Sequence, residues 1–370
     1  MRITFFGLTL SSSWGNGHAT PYRALLRALR AQGHQLTFFE KDVPYYARHR
    51  DFSRVGYCDL VLYPDYGTVS PYALIAAGMS DVVVVGSYCP DGARIADDLL
   101  RHQEHGPMVV YYDLDAPVTV SKWRRGEEVE YVRRDQIARF DLVLSFTGGR
   151  ILDVLQSEYG ARMARPLYGC VDPDAYRRVG VDERFACHLS YMGTYAADRQ
   201  AKVHSLFLDA AALSPQRRFM LAGSMYPFDL TIPTNVRRVE HVSPDEHPAL
   251  YSSSNWTLNI TRAEMAEWGY CPSGRFFEAA ACGCTVVTDE WEGLETFFAT
   301  EGSGRELLLA SSTADVLAAL VMDAGERDAM ARLARARALD EHTGTQRAEQ
   351  FIRACEEAAS TSLAKVAEAS

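Results

Sequence analysis

The sequence predicts an α/β protein built from two doubly wound domains, and three observations carry that reading. The chain opens with a β–loop–helix–β unit. Short apolar, β-branched runs then recur, separated by loop or helical sequence. After a segment rich in Pro and Gly, Pro166–Pro173, the alternation starts again. At 370 residues the chain can fold as two domains that each bury a core.

Arg2–Leu8 reads as a buried strand, followed by the polar loop Ser11–His18 (SSSWGNGH). Pro21–Gln32 is an amphipathic helix, with Leu25, Leu26 and Leu29 on one face and Arg23, Arg27 and Arg30 elsewhere. Gly33 ends it, and Gln35–Phe39 is the next strand. Gly15, Gly17 and Glu40 partly mimic a dinucleotide fingerprint, but Thr20 stands where a third glycine belongs. Further strands are expected at Leu60–Tyr63, Val82–Val85, Met108–Tyr112 and Leu142–Phe146. Asp113 and Asp115 follow the third of these as an Asp-x-Asp, a pattern that elsewhere holds a divalent cation. It lies in the opposite half of the chain from the nucleotide signature described below, so no metal is expected. Gly148 and Gly149 end the fourth strand and begin a helix whose N-terminus suits an anionic or hydroxylated ligand or simply forms a tight turn.

In the second half, strands are expected at His188–Met192, Arg218–Ala222 and Val236–Val239, with a helix over Gln200–Ala212. A strand ending at Leu258–Ile260 leads to a helix over Arg275–Cys282, stopped by Gly283, and to the strand Thr285–Thr288 with Asp289 at its end. A loop, a helix N-terminus and a strand in quick succession present backbone N–H groups and a carboxylate, Glu278, to a phosphorylated ligand. Arg199 and Lys202 open an earlier helix at i, i+3 spacing. From about residue 314 to 369 the sequence is helical, interrupted near His342–Gly344.

Composition narrows the function. Hydrophobic residues make up 47% and charged residues 23%, the balance of a soluble globular protein. The net charge of −10 leaves no basic surplus for a polyanion, so no nucleic-acid partner is expected. The eight cysteines show no C-x-x-C spacing and read as reduced thiols of a cytoplasmic protein. The N-terminal MRITFFGLTL reads as a first strand and not a signal peptide, and the longest apolar runs fall far short of the roughly 20 residues that cross a bilayer.

Four motifs together carry a family resemblance: Gly17-His18-x-x-Pro21, the Gly169-x-Val171-Asp172-Pro173 linker, Gly193…Arg199…Lys202, and Glu278-Ala-Ala-Ala-Cys-Gly283. In this order they resemble GT-B glycosyltransferases, with family 4-like and spore-maturation CgeB-like enzymes nearest in pattern. The resemblance implies two Rossmann-like domains facing a cleft. Residues 1–168 would bind an acceptor and 169–345 a nucleotide sugar, with 346–370 returning to the first domain. It implies metal-independent transfer from a nucleotide sugar, most often a UDP-sugar, to a hydroxyl acceptor. A nucleotide-sugar epimerase and a non-catalytic carbohydrate- or nucleotide-binding protein are the alternatives. No cofactor beyond the donor is implied.

Carried over residue by residue, the resemblance makes His18 a catalytic base oriented by Asp113 or Asp115. Donor contacts fall on Gly193, Arg199, Lys202, His241, Arg262, Ser273, Gly274, Arg275 and Glu278, and Glu278 would bind the ribose. Acceptor contacts fall on Trp14, Asn16, Gly17, Tyr112, Gly148 and Gly149. The family 4 pattern places a further Glu at the position of Tyr270, for which Glu267 or the Arg262/Glu264 pair could substitute. Inverting and retaining outcomes both stay open.

Overall fold

The computed structural model describes residues 1–101 and 106–369, with side chains to residue 361. The chain forms two compact units, Met1–Tyr168 together with the segment from Gly344 onward, and Gly169–Thr343.

In the first unit, strands β1 (Arg2–Gly7), β2 (Gln35–Lys41), β3 (Asp59–Tyr63), β4 (Val82–Gly86), β5 (Met108–Asp113), β6 (Leu142–Ser145) and β7 (Ala164–Pro166) form a parallel sheet. Its order is β3-β2-β1-β4-β5-β6-β7. Every residue of β4 (VVVVG) is buried, as expected where helices cover both faces of a parallel sheet. The helix Ala19–Ala31 buries Leu25, Leu26 and Leu29 against this sheet. The final helix, Gly344–Ala369, packs in the same core: Ala348, Phe351, Ala354, Cys355 and Ala358 join Leu25, Leu29 and Phe5. The Phe351 and Phe5 ring centroids are 6.2 Å apart.

In the second unit, β8 (Cys187–Met192), β9 (Phe219–Ala222), β10 (Val236–Val239), β11 (Ser254–Asn259), β12 (Thr285–Thr288) and β13 (Leu308–Leu309) are again parallel, ordered β10-β9-β8-β11-β12-β13. Leu189, Tyr191, Phe219, Leu221, Leu258 and Val287 are among its core residues. Both units therefore have the doubly wound, Rossmann-like architecture.

Two details differ from the sequence expectation. The helix expected over 200–212 is composite: a 3₁₀ turn at Ala197–Arg199, a short α segment at Gln200–Val203, a π turn at His204–Leu208 and another α segment at Asp209–Ala212. Three successive apolar side chains, Leu206, Phe207 and Leu208, are buried in the π turn. The short strand β7 has no apolar run of its own, and β13 is only two residues long. Each lies at a sheet edge, where one neighbour suffices and the terminal Pro166 of β7 is tolerated.

The loop after β1 is built on one carboxylate. Glu40, at the end of β2 and 1% exposed, accepts from the backbone N–H groups of Leu10 (2.7 Å) and Ser11 (2.8 Å) and from the hydroxyls of Ser11 (2.5 Å) and Thr9 (3.1 Å). The acidic residue that mimicked a ribose ligand in the sequence is thus consumed by the fold. Replacing Glu40 with Ala strands two buried N–H groups, at a cost of about 3 kcal/mol. Calorimetry on the purified variant should show that loss, and a change below about 0.5 kcal/mol would contradict this role for the carboxylate.

Candidate active site

The C-terminal ends of the parallel strands gather the polar residues of each unit. In the first unit β5 alternates its side chains: Tyr111 and Asp113 lie on one face and Tyr112 on the other. Tyr112 is buried in the core, and its hydroxyl donates to the Leu167 carbonyl at 2.9 Å. That contact makes Tyr112 a packing residue, in place of the acceptor contact expected from the sequence. Asp113 is buried, accepts the Asp115 N–H at 2.9 Å and accepts from the Tyr111 hydroxyl at 3.2 Å. Burial raises its carboxyl to about 6, against the opposing hydrogen bonds from Asp115 N–H and the Thr119 and Tyr111 hydroxyls.

Of the two aspartates, Asp115 is the partner of His18. Its Oδ2 lies 2.7 Å from His18 Nε2. A carboxylate only accepts, so Nε2 carries the proton and Nδ1 holds the lone pair. Nδ1 is buried and has no partner among the described residues. The edge of the His18 ring meets Tyr88 at 5.6 Å, and Tyr88 stacks on Tyr131 at 4.7 Å. These two tyrosines are part of the site that sequence reasoning missed, because no local motif joins residues 18, 88 and 131.

Asn16 braces the loop. Its Oδ1 accepts from the N–H groups of His18 (3.0 Å) and Ala19 (3.3 Å), capping the helix Ala19–Ala31, and its Nδ2 donates to the Ser12 and Trp14 carbonyls. Trp14 stacks on His49 at 4.0 Å, and Gly17 is exposed beside open space. Gly148 leaves room for the Tyr168 hydroxyl, which a Cβ there would meet at 1.9 Å. Gly149 precedes the helix Arg150–Ser157 with φ 63° and ψ −146°, a conformation open only to glycine.

In the second unit, two guanidinium groups converge on the turn after β8. Arg199 is buried and donates from Nη2 to the Thr194 carbonyl at 2.5 Å, while its Nε has no partner among the described residues. Arg275 donates to the Met192 carbonyl and, at 3.1 Å, to Ser273 Oγ. Gly193 lies between these carbonyls, and a Cβ on it would sit 2.7 Å from Arg275 Nη1. Burial, with Arg275 adding to it, holds Arg199 below its ordinary value.

Arg275 opens the helix Gly274–Ala281, after Ser273, and Glu278 follows one turn later. Glu278 is buried and not solvated. Burial pushes its carboxyl up to about 7, opposed by Arg275 and a hydrogen bond from Tyr176. Tyr176 carries no motif and was not expected here.

Lys202 is engaged elsewhere. Its Nζ pairs with Asp289 Oδ2 at 2.6 Å, and Asp289 Oδ1 accepts from the Thr261 N–H and hydroxyl, each at 3.0 Å. Arg199 and Lys202 therefore have separate partners and do not form a basic pair. Arg262 Nε lies 3.5 Å from Asp198 Oδ2, and His241 follows β10 in a loop. Tyr270 has a positive φ of 46°, and its ring fills the space a Cβ would need at Gly293. Among the described residues no three His, Cys, Asp or Glu side chains are grouped as a metal site would require. No helix there is long and apolar enough to cross a membrane.

Residues 199–353 match a family model described as glycosyl transferase-like. No curated protein matches the chain. Solved structures resemble it over nearly its whole length. Sucrose-phosphate synthase from Thermosynechococcus elongatus is 13% identical, covering 97% of this chain and 99% of that one, with a TM-score of 0.70. An alpha-glucosyltransferase in complex with UDP-glucose and DNA containing an abasic site is 15% identical, with 96% and 99% covered and a TM-score of 0.72. HepE from Anabaena in complex with UDP and glucose is 12% identical, with 96% and 100% covered and a TM-score of 0.66. The fold is GT-B. The glycosyl transferase-like match covers residues 199–353, and the structural likeness extends the GT-B fold over nearly the whole chain.

The raised Glu278 gives a signed pH dependence. The unfolded chain releases this proton near the ordinary 4.5, whereas the folded protein keeps it to about 7. The contribution to stability is therefore most favourable below 4.5 and declines as pH rises to 7. Glu278→Gln removes that decline. Its melting temperature should exceed that of the unsubstituted protein by a few degrees at pH 8 and match it near pH 4.5. Equal melting temperatures at both pH values would contradict the raised carboxyl.

Proposed function

We propose that the protein is a metal-independent glycosyltransferase, of the family 4-like or CgeB-like kind its motifs resemble, that moves a sugar from a UDP-sugar to a hydroxyl acceptor in the cytoplasm. The observation that carries this reading is the convergence of Arg199 and Arg275 on the turn at Gly193, at the start of the helix that buries Glu278. Two fixed guanidinium groups and a helix N-terminus form a receptor for a diphosphate, and they supply the positive charge that a metal would otherwise bring. Arg199 Nε has no partner among the described residues and would donate to a phosphate oxygen. Glu278, one helical turn on, accepts from the ribose diol. The relatives seen with UDP or UDP-glucose support the uridine nucleotide.

In the first unit, the His18–Asp115 pair supplies the base. As the acceptor oxygen bonds to the anomeric carbon and the bond to the diphosphate breaks with its electron pair, the acceptor proton passes to His18 Nδ1. Asp115 stabilises the imidazolium that results. Acceptor contacts are proposed for Trp14, Asn16, Gly17, Gly148 and Gly149, which share these strand-end loops.

UDP in the presence of a metal chelator should raise the melting temperature by a few degrees, and the shift should vanish in Glu278→Ala. His18→Ala should keep that UDP response and lose transfer by about 100-fold or more. Full transfer by His18→Ala would remove the proposed base, and stabilisation by NAD alone would point to a different enzyme class.

A further inference from the structure

We propose that Asp113 is a positioning residue that holds Asp115 against His18. This inference rests on the reading of His18 as the base. Asp113 lies at the last position of β5, and Asp115 is two residues on, where the chain turns into the helix Ala116–Arg124. Asp115 is fixed there from two sides, and its carbonyl accepts from the N–H groups of Val118 (2.9 Å) and Thr119 (3.1 Å) as the helix begins. Its N–H donates to Asp113 Oδ1 at 2.9 Å, while its Oδ2 meets His18 Nε2 at 2.7 Å. The link runs from the buried end of a central strand, through one backbone N–H, to the imidazole.

The surroundings of Asp113 favour an acceptor. Tyr111, on the same strand, donates to Oδ2 at 3.2 Å, and the Thr119 hydroxyl faces the carboxylate from the following helix. Tyr131 and Tyr22 approach from a loop and from the helix Ala19–Ala31, and both feel the charge of Asp113. Three donors meet one side chain, and a carboxylate has only acceptors. Burial pushes the carboxyl up to about 6, so the fold holds a charged group where an uncharged one would be cheaper. Its geometric use is the Asp115 N–H. Thr119 closes the ring by bonding the Tyr131 hydroxyl at 2.8 Å, and Tyr131 stacks on Tyr88, whose ring lies against His18. Asp113 thus has two routes to the imidazole: a short one through Asp115 and a longer one through packed rings.

The test uses the full chain and two readouts. Two-bond ¹H–¹⁵N NMR, with the His18 signals assigned by comparison with His18→Gln, reports the tautomer without any substrate. The unsubstituted protein should show a proton on Nε2 alone. Asp113→Ala should show mixed tautomers, and its kcat for transfer should fall about 10- to 100-fold while the KM for UDP-sugar stays within about twofold. Asp113→Asn keeps an acceptor for the Asp115 N–H, and either hydroxyl can reverse to meet its amide. It should hold the tautomer and keep kcat within about threefold. Asp113→Val, which offers no side-chain acceptor to that N–H, replaces the Ala variant if the latter does not fold. An unchanged tautomer and kcat in Asp113→Ala, or a tenfold loss in a folded Asp113→Asn, would overturn the proposal. A His18→Ala protein with full activity would instead overturn the base assignment itself, so the two failures are separable.

Discussion

A parallel sheet covered on both faces leaves few places for charge, and that constraint arranges this molecule. Along β4 the strand interior is apolar on both sides. Polar groups accumulate where the strands end: Glu40 near the end of β2, Asp113, Ser145 and Thr288 at the last positions of β5, β6 and β12, and Asp289 just after β12. Each carboxylate there must find donors or give up its charge, because a buried ion without partners is expensive.

Four of the buried carboxylates meet that demand in different ways. Glu40 is met by two N–H groups and two hydroxyls of a single loop, and Asp289 by Lys202 and Thr261. Both serve the fold. Asp113 and Glu278 are less completely met, and burial moves their carboxyls to about 6 and about 7. Groups whose titration is pulled towards neutrality at strand and helix ends mark the places where a protein does chemistry. Here one stands behind the His18–Asp115 pair, and the other stands one turn beyond Arg275.

The second unit shows the same economy for positive charge. Arg199 and Arg275 rest on the carbonyls of Thr194 and Met192, so the backbone turn around Gly193 aims two like charges at one region. Such an arrangement is costly unless an anion completes it. Arg199 Nε has no hydrogen-bond partner among the described residues.

The sequence by itself determined the doubly wound class, because continuous apolar runs at regular spacing admit few other solutions. It also placed His18, Arg275 and Glu278 on the loops and helix starts that follow strands, since local motifs encode local turns. Tertiary structure decided the pairings. Period-two alternation in β5 sends Tyr112 into the core and Asp113 to the other face, and the turn that follows gives Asp115 to His18. No spacing in the chain joins Lys202 to Asp289 or Tyr176 to Glu278. Contacts between residues far apart in sequence depend on how strands are ordered in a sheet, and linear periodicity carries no record of that order.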